Sequence, residues 1–151
     1  MFGTHTRGAG RRVVVAAFAL VALALVVGAC SSGGSGLTGK TWQLTAITEK
    51  VPAFQGVVPE ADQPNYTITF ATDGSFNAKA DCNMVSGTYT TSGSNGIAIT
   101  VGPSTLVACP EGSLSSQYIA GLSAAKTYAI SGSALTLTLK DEGTLTFTAA
   151  K

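Results

Sequence analysis

The sequence predicts a mainly antiparallel β fold of the α+β class, a small curled sheet or barrel of about eight strands with one short helix. Apolar residues alternate with Thr, Ser and other polar residues in short runs, which is the period of a half-buried strand. Pairs such as Asp-Gly and Asn-Gly separate these runs, as in hairpin turns. One later segment instead repeats its apolar residues every four positions, which is the spacing of a helix.

The first predicted strand, residues 41–48, alternates Trp42, Leu44 and Ala46 with polar residues. Asp73-Gly74 and Asn95-Gly96 each predict a turn between two alternating runs. The runs joined by these turns are residues 66–70 with 76–80, and residues 87–91 with 97–101. Residues 51–63 contain two prolines and precede a third, so they predict a long loop.

The second half begins with the helical segment, residues 114–125, where Leu114, Tyr118 and Leu122 lie four positions apart. Ser113 is its predicted N-cap. Three alternating runs then form a predicted meander, at residues 126–131, 134–140 and 144–148. Because most predicted strands have one apolar face, we expect the sheet to curl around a single core.

The N-terminal segment predicts an export signal over residues 1–29. Three arginines precede an unbroken apolar run at residues 13–27, which is shorter than a membrane span of roughly 20 residues. The run ends in Val27-Gly28-Ala29-Cys30, which resembles a bacterial lipobox and predicts lipidation at Cys30. The alternatives are an ordinary Cys30 thiol beside a helical anchor and a twin-arginine export route, and both are less favoured.

Residues 30–36 are then the lipidated cysteine and a Gly/Ser linker, and residues 37–151 are the folded domain. The predicted location is the cell envelope, with acylated Cys30 anchoring the chain in lipid on the outer face of the cell membrane. In a Gram-negative cell the outer membrane is the alternative. Two or more acyl chains make such anchoring stable, since each buried CH₂ contributes roughly 0.8 kcal/mol.

Charge is unevenly placed along the chain. All three arginines and the only histidine precede residue 13. From Cys30 onward the chain contains six lysines and eight acidic residues, which gives a net charge of −2 (6 − 8). A domain without clustered positive charge is a poor nucleic-acid binder, so no nucleic-acid partner is expected. The mature domain also lacks histidine, the side chain most often used for proton transfer near neutral pH.

If Cys30 is acylated, Cys82 and Cys109 remain as an even pair in an oxidising compartment, which favours a structural disulfide. The alternative is a reactive or metal-binding thiol, but without histidine a Cys–His nucleophile is excluded and a zinc site would need unusual ligands. The acidic residues fall mainly in turns, where surface placement is favoured over an acid–base pair. We therefore expect no catalytic residue, metal or cofactor.

Six short segments follow one another along residues 37–147. They are Leu37-x-Gly39-x-x-Trp42-x-Leu44, Ile68-Thr69-Phe70-x-x-Asp73-Gly74-x-Phe76, Cys82-Asn83 with Gly87-x-Tyr89, Thr105-x-x-Ala108-Cys109-Pro110, Tyr128-x-Ile130-x-Gly132-x-x-Leu135-x-Leu137 and Leu145-x-Phe147. In this order and spacing they resemble the META-domain, or HslJ-like, family of bacterial envelope proteins, which are small β-rich domains and often lipoproteins. That family usually has Gly before the Cys-Asn pair, where this chain has Asp81, a residue that tolerates left-handed backbone better than most.

The resemblance implies a link to heat shock and envelope stress, and it carries over no catalytic residue. The predicted function is a non-enzymatic, membrane-anchored envelope lipoprotein that supports the envelope under stress, with an envelope protein as its partner. The alternative is a ligand- or protein-binding module of the inhibitor type. It would use an open end of the barrel near Cys82, with Asn83 and Thr105 as binding residues. A hydrolase built on carboxylates is the least favoured class.

Overall fold

The computed structural model of the protein describes residues 36–151, so the predicted export signal and Cys30 lie outside the described residues. The described part contains nine β-strands and one α-helix. The elements are β1 (Thr41–Lys50), β2 (Ala53–Val57), β3 (Tyr66–Phe70), β4 (Ser75–Ala80), β5 (Asn83–Ser92), β6 (Gly96–Ser104), α1 (Ser115–Ala124), β7 (Ala125–Ser131), β8 (Ala134–Leu139) and β9 (Thr144–Ala149).

Eight of the strands close into an antiparallel barrel, which confirms the predicted fold class. Their order is β1-β3-β4-β5-β6-β7-β8-β9, and β9 pairs with β1 to complete the ring. The ninth strand, β2, pairs only with the second half of β1, from Ala46 to Lys50. One face of each barrel strand points inward, so the alternating apolar side chains meet in a single core.

Within the barrel, β6 and β7 have the shortest strand pairing. Gly96 and Thr127 form the one residue pair between these strands, and the Tyr128 N–H donates to the Asn95 carbonyl nearby at 2.9 Å. By contrast, β5 and β6 pair along most of their length. The connection between β6 and β7 carries α1, which packs back against the barrel instead of extending the ladder.

The helix α1 covers one end of the barrel, which we call the helix mouth. Tyr118 and Leu122 are fully buried, so the spacing that predicted the helix also identified its core face. A Cβ at Gly121 would lie 2.9 Å from Cδ2 of Leu145, so the helix sits close to β9. The Ser113 hydroxyl accepts from the Ser115 N–H at 3.2 Å, although Leu114 occupies the N-cap position predicted for Ser113.

Residues Gly36 to Thr38 cross the opposite end of the barrel, which we call the N-terminal mouth. A Cβ at Gly36 would touch Ile130 of β7, while Thr38 forms a bridge to Phe70 of β3. These strands lie four apart in the ring of eight, so the segment spans the opening. Leu37 is fully buried there, and its carbonyl accepts from Nε1 of Trp42 at 2.9 Å.

Two local predictions are wrong. Residues 53–57 form β2, where a loop was expected, because Pro52 and Pro59 lie outside the strand and remove none of its ladder hydrogen bonds. The β5–β6 hairpin is present, but Ser92 pairs with Gly96, so the turn lies at residues 93–95. Among residues 36–151, no helix combines the length and the apolar character that spanning a membrane requires.

Candidate functional site

Asn83 organises the segment that leads from β6 to α1. It is the first residue of β5 and is 6% exposed, so its amide needs partners inside the protein. Its Oδ1 accepts from the Val107 N–H at 2.8 Å and from the Thr105 hydroxyl at 3.0 Å, and its Nδ2 donates to the Val107 carbonyl at 3.1 Å. The Asn83 side chain therefore supplies residues after β6 with hydrogen bonds of the kind that a neighbouring strand would otherwise provide.

Thr105 and the predicted disulfide strengthen the same attachment. Thr105 N–H donates to the Met84 carbonyl, and the Met84 N–H donates to Thr105 Oγ1, both at 3.0 Å. Cys82 and Cys109 are bonded to each other, with their Cα atoms 5.5 Å apart, so the predicted disulfide is present. Asn83 Nδ2 also lies 3.2 Å from Sγ of Cys109.

The structure thus brings together the two residues that the sequence singled out for binding, Asn83 and Thr105. Their polar atoms bond to each other and to the backbone of the loop, an arrangement suited to holding that loop in place. The barrel end beside them is covered by α1, whereas the sequence analysis expected an open end. Binding by these two side chains themselves stays a prediction.

The loop they hold, residues 105–109, presents apolar side chains to solvent. Leu106 is 93% exposed and Val107 is 57% exposed, and Met84 at the start of β5 is 55% exposed. Exposed apolar side chains in contiguous groups are typical of interaction surfaces. The sequence contained a signal for this feature, since Leu106-Val107-Ala108 is an apolar run between the end of β6 and Cys109.

A cleft of about 330 Å³ lies beside this loop at the helix mouth. The end of β2 and the segment 110–114 line it, and Val57 and Leu114 are among its apolar side chains. Asp62, Asp81 and Glu111 contribute carboxylates to its lining. Sequence reasoning missed the cleft because one wall is the strand that it took for a loop.

Asp81 occupies the turn between β4 and β5 with φ of +59°, in the left-handed region. The resemblance had placed a family glycine at this position, and aspartate is among the residues that adopt this backbone at moderate cost. Its N–H donates to the Asn65 carbonyl at 2.7 Å. The turn is therefore formed without the glycine and sets Cys82 next to Cys109.

The carboxylates of the turns bond to backbone and serine groups. The Ser75 hydroxyl and N–H, which donate to Asp73 at 2.6 and 2.9 Å, hold the pKa of Asp73 below its ordinary value. N–H groups of Lys50, Gly143 and Val51 lower the pKa of Asp141 in the same way. A general acid needs a raised pKa, so these two ionised groups suit turn stabilisation. Over residues 36–151, no group of three His, Cys, Asp or Glu side chains forms a metal site.

Comparison with known proteins gives one family and two related folds. The META domain model matches residues 35–151. An NMR structure of a protein from Burkholderia xenovorans is 24% identical, with a TM-score of 0.61, and the match covers 76% of this chain and 84% of that one. A crystal structure of a DUF4847 family protein from Bacteroides vulgatus ATCC 8482 is 16% identical, with a TM-score of 0.56 and coverage of 76% and 95%.

Both likenesses are below 25% identity and show the fold alone. No curated protein matches the chain. The family match spans every strand of the barrel and α1, and it agrees with the resemblance seen in the sequence. The chain belongs to the META domain family.

Proposed function

We propose that this protein is an exported lipoprotein that is anchored through Cys30 and whose META domain acts without catalysis, in support of the envelope under stress. The observation that carries the proposal is the position of Cys30, which ends an apolar signal-like run and stands six residues before Gly36. Six Gly/Ser-type residues reach about 13 Å r.m.s.. The domain would therefore stay close above the lipid headgroups.

The arrangement of the barrel supports such a tethered role. The chain joins the fold at the N-terminal mouth, where Leu37 is buried and Gly36 lies against Ile130. An anchor at Cys30 would turn that mouth toward the membrane and leave the helix mouth pointing away from it. The turns at the N-terminal mouth, at residues 71–74, 93–95 and 131–133, contain small or polar residues that suit a position beside lipid headgroups.

The test replaces Cys30 by Ala and uses Ser31→Ala as the matched control. In cells fed an alkyne-labelled fatty acid, the wild type and the control should carry the label and sediment with membranes. Cys30→Ala should remain an unlabelled precursor of higher mass. Labelling and cleavage of Cys30→Ala to the same extent as the control would overturn the anchor.

The stress role is tested in a strain that lacks the protein. We expect it to lose viability on heating, and we expect restoration by the wild type but not by Cys30→Ala. Equal survival of the deletion strain and the wild-type strain would contradict that part of the proposal.

A second candidate function is binding of a protein partner at the helix mouth, and the exposure of Leu106 and Val107 favours it. Both residues are exposed in the loop at the helix mouth, the end that an anchor at Cys30 would leave pointing away from the membrane. A partner at the helix mouth would contact the folded domain directly. Its binding would not require contact with the lipid surface.

A further inference from the structure

We propose that residues 105–109 form a substrate-like loop that enters the active-site cleft of an endopeptidase with an apolar specificity pocket, with Leu106 filling that pocket. The inference deepens the binding function suggested for the helix mouth and is independent of the lipid anchor. It requires a side chain that projects, a backbone that is free to bond, and a loop that is already ordered.

The side chain that projects is Leu106. It is 93% exposed, the highest value among the exposed large apolar residues of the described part. In the stretch from Met84 to Ala125 the single charged residue is Glu111. The loop therefore offers aliphatic side chains, of which Leu106 is the most exposed, and the charged residues that line the cleft beside it are all acidic. That chemistry fits a hydrophobic specificity slot and does not fit a pocket that contains a carboxylate for Lys or Arg.

The backbone of Leu106 is free to bond. Within residues 36–151, neither its N–H nor its carbonyl has a hydrogen-bond partner, whereas the N–H groups of Thr105 and Val107 on either side are bonded within the protein. Extended peptides bind through main-chain hydrogen bonds, while side-chain pockets supply the specificity. An unbonded residue between two bonded ones leaves this position open for such pairing.

The order of the loop comes from Asn83 and the disulfide. Asn83 bonds to Thr105 Oγ1 and to both the N–H and the carbonyl of Val107, and Cys109 is covalently joined to Cys82. A loop fixed in its bound shape loses little conformational entropy on binding, which raises affinity. The partners that hold the loop, Cys82 and Asn83, lie outside it, at and just before the start of β5.

The same restraints explain why such a loop would inhibit and not be consumed. Hydrolysis of the Leu106–Val107 bond adds one water and leaves a carboxylate on Leu106 and an amino group on Val107. Thr105 and Val107 would both remain bonded to Asn83, so the two new ends would stay adjacent. A high effective concentration of the ends favours re-formation of the bond with release of that water. Release of the cut loop is correspondingly slow.

The test measures inhibition of chymotrypsin, subtilisin and trypsin by the full chain purified in mild detergent, with small chromogenic substrates. The wild type should inhibit chymotrypsin or subtilisin and leave trypsin unaffected. Leu106→Lys should lose that inhibition by roughly 100-fold or more, as expected for a central anchor residue, and should gain inhibition of trypsin. Val51→Lys is the matched control, because Val51 is 80% exposed and lies in the β1–β2 turn. It should behave as the wild type.

Thermal unfolding of both lysine variants should match the wild type, since each replaced side chain is exposed. Cleavage of the wild type by all three enzymes without inhibition would overturn the proposal. So would inhibition that Leu106→Lys leaves unchanged. A Leu106→Lys variant that inhibits trypsin while Val51→Lys does not would support the loop as the contact.

Discussion

Two tyrosines that touch in the core should respond with opposite sign to loss of their hydroxyl groups. Tyr66 and Tyr118 meet edge to face, with ring centroids 6.2 Å apart. The Tyr66 hydroxyl accepts from the Leu114 N–H at 3.0 Å and lies 3.4 Å from Ser113 Oγ. The Tyr118 hydroxyl is fully buried and has no partner among the described residues, and burial raises its pKa well above the ordinary value.

An unsatisfied buried polar group costs about 1–3 kcal/mol, so Tyr118→Phe should raise the free energy of unfolding by a value toward the lower end of that range. Tyr66→Phe loses a hydrogen bond at the start of α1 and should lower it by about 1 kcal/mol. The two variants remove the same atom from neighbouring rings. Their difference, roughly 2 kcal/mol, therefore reports the bonding of the hydroxyl and not the size of the side chain.

The assay is guanidinium unfolding of the oxidised protein, followed by tryptophan fluorescence from buried Trp42. The denaturant dependence should be equal in all variants, so that the midpoints report stability. Because the rings touch, the double variant tests whether the two effects add. A loss of about 1 kcal/mol or more in Tyr118→Phe, with unchanged denaturant dependence, would refute the reasoning and point to a bound water at that hydroxyl.

Two further predictions concern the loops. Replacing Cys82 and Cys109 by Ser opens a loop with a sequence separation of 27 and should lower the free energy of unfolding by about 3.5 kcal/mol in denaturant titrations; equal stability with and without reductant would contradict it. Asp141 has a pKa lowered by the Lys50 and Gly143 N–H groups, so its contribution to stability is present above the ordinary carboxyl pKa of 3.8 and is lost as pH falls through the lower folded value. The stability of Asp141→Asn should therefore change less than that of the wild type below pH 3.8, and parallel acid curves would count against this assignment.

Much of the fold could be predicted because the barrel strands have one buried face, and a two-residue period records that directly. Tyr118 and Leu122 likewise revealed α1 through their spacing. The sequence analysis did not predict β2, because this strand pairs along one edge with β1 and its pattern is short and flanked by prolines. The formation of this strand depends on its pairing with β1, and the local sequence pattern does not record that pairing.

For the site, the disulfide followed from the number of cysteines and the expected compartment. Asn83 could be singled out only through the family resemblance. Its role depends on the path of residues 105–107, and a sequence without alignment does not encode that path locally. The apolar run that contains Leu106 is visible in the sequence, but its exposure is not, because apolar side chains are more often buried than projecting.

Closure of the barrel also places a limit on when this chain can fold. β1 must pair with β9, as in the contact of Thr45 with Thr146, residues that are 101 positions apart. Contacts of such long sequence separation form slowly. On the proposed export route the N-terminal residues emerge first, so β1 waits with an open edge until the C-terminal strand arrives. The ring can then be completed only after nearly the whole domain has crossed the membrane.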